Sequence, residues 1–171
     1  MFILRLSTLS NAQDKFYTNS GNISFDGKSA LSKVHANNKT VVSAFNSKTG
    51  AIEFTAFIKE FKLANGLMQR HFNDKYMESD LFPKTEFRGQ VVNNEAVKYK
   101  TPGVYDVKVK GKLTIHGQTK DVEAQGKISV VPGKIQLLST FSIQVPDYKI
   151  SANMKDKVTI DVDCILNPMK L

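Results

Sequence analysis

The chain has one cysteine, Cys164, and no tryptophan among its 171 residues. A lone cysteine forms no internal disulfide and excludes CxxC redox or metal motifs. Arginine is almost as scarce: 21 of the 24 basic residues are lysine, and the three arginines are Arg5, Arg70 and Arg88. Base reading in DNA leans on the forked guanidinium group, and no Cys/His finger or recognition-helix pattern is present. Nucleic acid is therefore not an expected partner beyond non-specific phosphate attraction. No run approaches the roughly 18 apolar residues of a membrane-spanning helix. No glycine-rich loop opens a helix, and no Gly-x-Ser-x-Gly elbow occurs. The three histidines, His35, His71 and His116, are 36 and 45 residues apart in a chain without HExxH. A metal site would need the fold to gather them. The chain is expected to carry no metal, no cofactor and no catalytic residue, and so not to be an enzyme.

What is present is apolar and alternating. Leu, Ile, Val and Phe supply 49 of the 171 residues, too many for a disordered chain even at a net charge of +8. The length fits one domain with a sizeable core, and residues 14–171 read as that domain. Residues 1–13 (MFILRLSTLSNAQ) hold no acidic side chain, are mostly apolar from 2 to 9, and offer Ser10-Asn11-Ala12 as a small-x-small cleavage site. They read as the tail of a secretion signal whose start is missing, which implies a periplasmic or otherwise exported protein. An ordinary N-terminal arm on a cytoplasmic protein is the alternative.

Period-two alternation dominates the rest. Over residues 105–115, Tyr105, Val107, Val109, Leu113 and Ile115 share one face with Gly111, and Asp106, Lys108, Lys110, Lys112 and Thr114 share the other. A turn is expected at Gly117-Gln118-Thr119-Lys120. Then Val122, Ala124, Gly126, Ile128 and Val130 alternate with polar residues up to a Pro132-Gly133 turn. Ile135, Leu137, Phe141, Ile143 and Val145 follow, and finally Val158, Ile160, Val162 and Cys164. Earlier, Ile23 and Phe25 alternate with Ser24 and Asp26. Residues 42–45 lead to a hairpin turn at 46–50 and a strand with Ile52, Phe54, Ala56 and Ile58, whose opposite face carries Phe57 and Phe61. Thr85, Phe87, Gly89 and Val91 come after Pro83. One segment breaks the period: over residues 65–79, Leu67, Met68, His71, Phe72, Lys75 and Tyr76 recur at helical spacing, with Asn65 as cap. The pattern gives eight or nine antiparallel strands round one apolar interior, with one short amphipathic helix. A sandwich and a barrel both fit it.

Two blocks carry a family resemblance. Residues 67–87 read LMQRHFNDKYMESDLFPKTEF, and residues 103–128 read GVYDVKVKGKLTIHGQTKDVEAQGKI. Together they resemble the YceI-like family of lipocalin-like polyisoprenoid-binding proteins. The family's hairpin pattern is met by Gly111, Leu113, Thr114, Ile115, Gly117, Thr119 and Lys120. Phe141 and the run Asp147-Tyr148-Lys149-Ile150 resemble its later segment, with Lys149 where many relatives have glycine. The helix block resembles the version of Bacteroidetes-type members. The resemblance implies an all-β fold, an eight-stranded antiparallel lipocalin-like barrel. It also implies a binding or carrier protein with a long-chain isoprenoid or fatty-acyl lipid in an apolar interior, and export. The Gly-x-Trp of typical lipocalins is missing.

On this reading the cavity-lining candidates are Phe25, Phe54, Phe72, Tyr76, Tyr105, Val107, Leu113, Leu137, Phe141, Ile143 and Ile160. Val122, Ile128 and Val162 share the inward parity. Arg70 and His71 on the helix are the head-group candidates. Cys164 has the parity of a buried, inert thiol. His116 beside its turn is expected to be solvated, as are the outward carboxylates Asp106, Asp121, Glu123, Asp161 and Asp163. Whether the inward side chains meet in the middle stays open, because an eight-stranded barrel holds either a packed core or one small ligand. Two other functions stay open. One is an envelope stress or interaction protein that uses a lysine-rich face on anionic lipid, since residues 97–120 carry six lysines and one aspartate. The other is a lipid-modifying enzyme with His71 or His116 as base. The oligomeric state, monomer or homodimer, is open as well.

Overall fold

The computed structural model of the chain describes residues 14–29, 32–151 and 156–170; the expected signal remnant at 1–13 lies outside them. The alternating segments form β1 (Lys15–Lys28), β2 (Lys33–Asn46), β3 (Ala51–Phe57), β4 (Lys84–Val91), β5 (Gly103–Ile115), β6 (Gln118–Val131), β7 (Lys134–Gln144) and β8 (Lys157–Pro168). They pair in sequence order into a closed barrel of eight strands, so the barrel and not the sandwich is found. Every neighbouring pair is antiparallel, and β1 closes on β8 with Phe25 opposite Ile160 and Ile23 opposite Val162. Closure leaves one inner face for the apolar half of each strand and one outer face for the polar half.

The expected helix is α1 (Gly66–Arg70), which runs directly into a π-helical turn over His71–Tyr76. Asn65 caps it by accepting a hydrogen bond from the Met68 amide at 2.9 Å. Two expectations are corrected, the β5–β6 turn and a third strand that runs on past Phe57. The β5–β6 turn is the two-residue His116-Gly117, with Ile115 paired to Gln118, so residues 118–120 belong to a strand. Positive φ at both turn residues, 51° and 72°, matches the twist that a two-residue hairpin needs. Phe57 is 47% exposed and has no cover on its outer face. A 3-10 turn over Ile58–Glu60 then redirects the chain and buries Phe61.

Strand parity is interrupted twice. In β1 the buried residues are Phe16 and Thr18, then Gly21 and Gly27, with a register shift between Thr18 and Ile23. The inserted residue moves the inward set from even to odd positions. In β2 the inward set shifts likewise, from Ala36 and Asn38 to Val41, Ser43 and Phe45. Asn38 is fully buried and holds this irregularity. Its Oδ1 accepts from the Thr40 amide and hydroxyl, at 2.9 and 3.1 Å, and its Nδ2 donates to the Phe57 carbonyl at 3.1 Å. A buried amide is tolerated there because its polar atoms are partnered.

Lys149 adopts φ 52° and ψ 37°, the left-handed region, at the end of a 3-10 turn over Val145–Tyr148. A side chain is strained there and glycine is not. The Lys149→Gly variant should be more stable than the parent by about 0.5–1 kcal/mol, read as a rise in urea midpoint without a change in slope.

Candidate functional site: an apolar cavity inside the barrel

The two ends of the barrel are filled differently. At one end Phe16, Phe45, Ile52, Val91, Ile128, Ile135, Leu137 and Leu166 pack as a buried core. The connection between β4 and β5 closes this end. Its Val97 is buried, and Tyr99 tilts against Phe45 at 5.8 Å while its hydroxyl donates to Asn94 Oδ1 at 2.6 Å. Burial raises the Tyr99 phenol well above its ordinary pKa. At the other end the helical segment covers the barrel. Phe72 stacks on Phe25 at 5.5 Å, and Phe61 meets both rings, at 5.6 and 6.1 Å.

Between the two ends the interior is hollow. Phe25, Phe54, Phe87, Val122, Phe141, Ile143, Ile160 and Val162 sit at inward positions yet are only partly buried. They border a cavity of about 690 Å³, within the roughly 300–1,000 Å³ of small-molecule sites. Its polar lining is sparse: Ser29, Ser32, His71, Tyr76, Thr85, Glu86, Lys127 and Ser139. Two glycines shape the wall. Gly89 and Gly111 stand opposite each other in the β4–β5 ladder, and the Phe87 ring lies over them. A Cβ at Gly111 would come within 2.6 Å of that ring and 2.4 Å of the Arg88 carbonyl oxygen.

Of the sequence candidates, Phe25, Phe54, Phe72, Tyr76, Val107, Leu113, Leu137, Phe141, Ile143 and Ile160 line the cavity, and so does His71. Two are placed elsewhere. Tyr105 packs at the plugged end, where its hydroxyl donates to the Thr101 carbonyl at 2.7 Å. Arg70 is exposed on the helix and is not part of the lining. Sequence reasoning missed Phe87, Ile58, Phe61, Met77 and Ile150, which also line the space. Phe87 and Ile58 had the signal, because they alternate with Gly89 and Val91 and with Phe54 and Ala56. The others follow strand ends or lie outside strands, where parity says nothing.

Two of the three histidines are engaged outside the cavity. His116 is a correction: its side chain is 10% exposed, not solvated. Its Nε2 lies 2.6 Å from Glu78 Oε2 and its Nδ1 3.1 Å from the Tyr148 carbonyl. His35 pairs with Asp26 on the outer surface at 2.8 Å. Among the described residues no three His, Cys, Asp or Glu side chains gather as metal ligands. Two of the six lysines of the stretch at 97–120 are paired by carboxylates of β6, and its one aspartate is paired by a β6 lysine. Lys110 pairs with Glu123 at 3.1 Å, Lys112 with Asp121 at 2.8 Å, and Asp106 with Lys127 at 2.5 Å. No helix of the described residues is long and apolar enough to cross a membrane.

A model of the YceI-like domain family matches residues 7–166. No curated protein matches the chain. Among solved structures, a polyisoprenoid-binding domain from Saccharophagus degradans implicated in plant cell wall breakdown superposes with a TM-score of 0.80 at 10% identity, covering 92% of this chain and 99% of that one. BcnA from Burkholderia cenocepacia gives 0.71 at 14% identity, over 85% and 95% of the two chains. The Campylobacter jejuni YCEI protein gives 0.59 at 19% identity, over 77% and 81%. At these identities the likeness is one of fold.

Cys164 is fully buried, and burial pushes its thiol up to about 12. Its Sγ rests where Gly21 has no side chain, 2.6 Å from the point a Cβ would occupy. A thiol protonated and covered in this way is a poor nucleophile. A disulfide reagent at pH 8 should leave Cys164 unmodified in the folded protein and titrate one thiol per chain in denaturant.

Proposed function

The chain belongs to the YceI-like domain family, and from that membership and its cavity we propose that it is a binding or carrier protein for one long-chain isoprenoid or similar lipid. The observation that carries this reading is the apolar space of about 690 Å³ enclosed by the strands and plugged at one end. A packed core would have no use for so many inward phenylalanines left half-covered. The polyisoprenoid-binding domain from Saccharophagus degradans shares the barrel.

The energetics favour a long chain. Each buried methylene contributes about 0.8 kcal/mol, so about twenty gross roughly 16 kcal/mol, against an association cost of about 4–15 kcal/mol. A short apolar ligand binds weakly on this balance. A multi-isoprene chain binds well with few hydrogen bonds, and the length and shape of the cavity then select the ligand. A polar head group belongs at the rim, where His71 and the serines of the β1–β2 connection stand. The reading is of binding without catalysis: Cys164 is covered, and His116 is tied to Glu78 and a carbonyl. It includes export to the periplasm or beyond, on the acid-free, mostly apolar residues 1–13.

A fluorescent polyene fatty acid, displaced by isoprenoid alcohols of increasing length, tests the proposal. Saturable one-to-one binding is expected, tighter for longer chains. Ile143→Asp puts a charge into the cavity and should weaken binding at least about thirtyfold while the circular dichroism stays that of the parent. Binding left unchanged by Ile143→Asp, or no binding at all, would overturn it.

A further inference from the structure

β6 and β7 do not stay together along their length. Their ladder runs from Val131 opposite Lys134 to Gly126 opposite Ser139 and stops there. Both strands continue. β6 remains paired with β5 back to Gln118, and β7 remains paired with β8 as far as Gln144. Residues 118–125 and 140–144 therefore face one another across the barrel wall without a ladder. At about 3.3 Å per residue the five positions of β7 make a gap roughly 17 Å long.

Each corner of the gap is tied. At the lower corner the Ser139 hydroxyl donates to the Gln125 carbonyl at 2.7 Å. Gly126 lets the Leu138 carbonyl approach there, to 2.6 Å from where a Cβ would stand. At the upper corner His116 Nδ1 meets the Tyr148 carbonyl just beyond the end of β7, and the same ring is held from behind by Glu78. The ties fix the ends and leave the middle unpaired.

The cavity reaches this gap. Its lining there includes Val122 and Ala124 of β6 and Phe141 and Ile143 of β7, and it extends to Lys127 and Leu138, the outward-facing pair just inside the end of the ladder. The inward residues that flank the gap, Val122, Phe141 and Ile143, are apolar and only partly buried. Two strand edges with free backbone donors and acceptors thus stand beside an apolar space. Barrels ordinarily abolish such edges. An opening with polar margins and an apolar interior matches an amphiphile, one polar head on one long chain. Passage past the helical end would instead disturb the mutual packing of Phe25, Phe61 and Phe72.

The geometry points to a lateral portal between β6 and β7. Through it a long-chain amphiphilic lipid enters and leaves the barrel sideways, its head group passing along the open strand edges. This rests on the lipid-binding reading above and adds the route.

The test bridges the gap. Continuing the register past Gly126 and Ser139 sets Glu123 opposite Ser142, both exposed and both on the outer face. The double variant Glu123→Cys, Ser142→Cys is linked by a short bismaleimide with a reducible centre, and uptake and release of the fluorescent polyene fatty acid are followed by stopped flow. A control pair, Arg88→Cys with Lys112→Cys, is linked across the intact β4–β5 ladder. Both rates should fall at least about tenfold on linking 123 to 142, recover on reduction, and stay unchanged in the control. Equal rates in the linked and reduced forms would overturn the portal while leaving lipid binding intact. No uptake by the reduced form would overturn the binding reading and the portal with it.

Discussion

The ladder between β1 and β8 joins residues more than a hundred positions apart and makes the sheet a closed surface. Eight strands closed in this way enclose an interior of set width, and the side chains decide how much of it is filled. Here they fill one end with Phe16, Phe45 and the Val97 and Tyr99 plug. They roof the other end with the aromatic cluster of the helical segment and leave the middle to a half-covered apolar lining. An open sheet of the same strands would expose that lining and have no cavity to offer.

A hollow interior forfeits the close packing that stabilises most domains. The structure offsets part of this at its margins. Cross-strand ion pairs run along the outer face of β5 and β6, though exposed pairs contribute at most about 1 kcal/mol each. The side-chain ties of Asn38, Ser139 and His116 sit where ladders shift or end. A bound chain would supply the rest, because a ligand that binds only the folded state stabilises it in proportion to the logarithm of its concentration. Stability and cargo are then linked, and the emptied protein is the less stable one.

Much of this was legible in residue order. Alternation located the strands, and their inward parity named Phe54, Phe141, Ile143 and Ile160 as facing the interior. Parity is a local property and fails where the chain leaves the strand. The inserted residue in β1 and the shift at Asn38 in β2 exchange the two faces with no signal in composition. Tyr105 has the right parity but the wrong height: it faces inward at the end where the β4–β5 connection closes the barrel. Arg70 and His71 are neighbours on the helix, and only His71 borders the cavity. Two lysines of residues 97–120, Lys110 and Lys112, have their carboxylate partners on the next strand, out of reach of a reading along the chain. The length of a ladder, and so the gap between β6 and β7, is set by three-dimensional splay and leaves no trace in the order of residues.

The central claim is that the cavity holds one lipid chain. Native mass spectrometry of the protein, purified without detergent and then offered a long-chain isoprenoid alcohol, tests it most directly. The account predicts a single adduct of one lipid mass per chain, lost on collisional activation, with a melting temperature that falls when the lipid is removed. The bare protein mass alone, with a melting temperature indifferent to the alcohol, would contradict it.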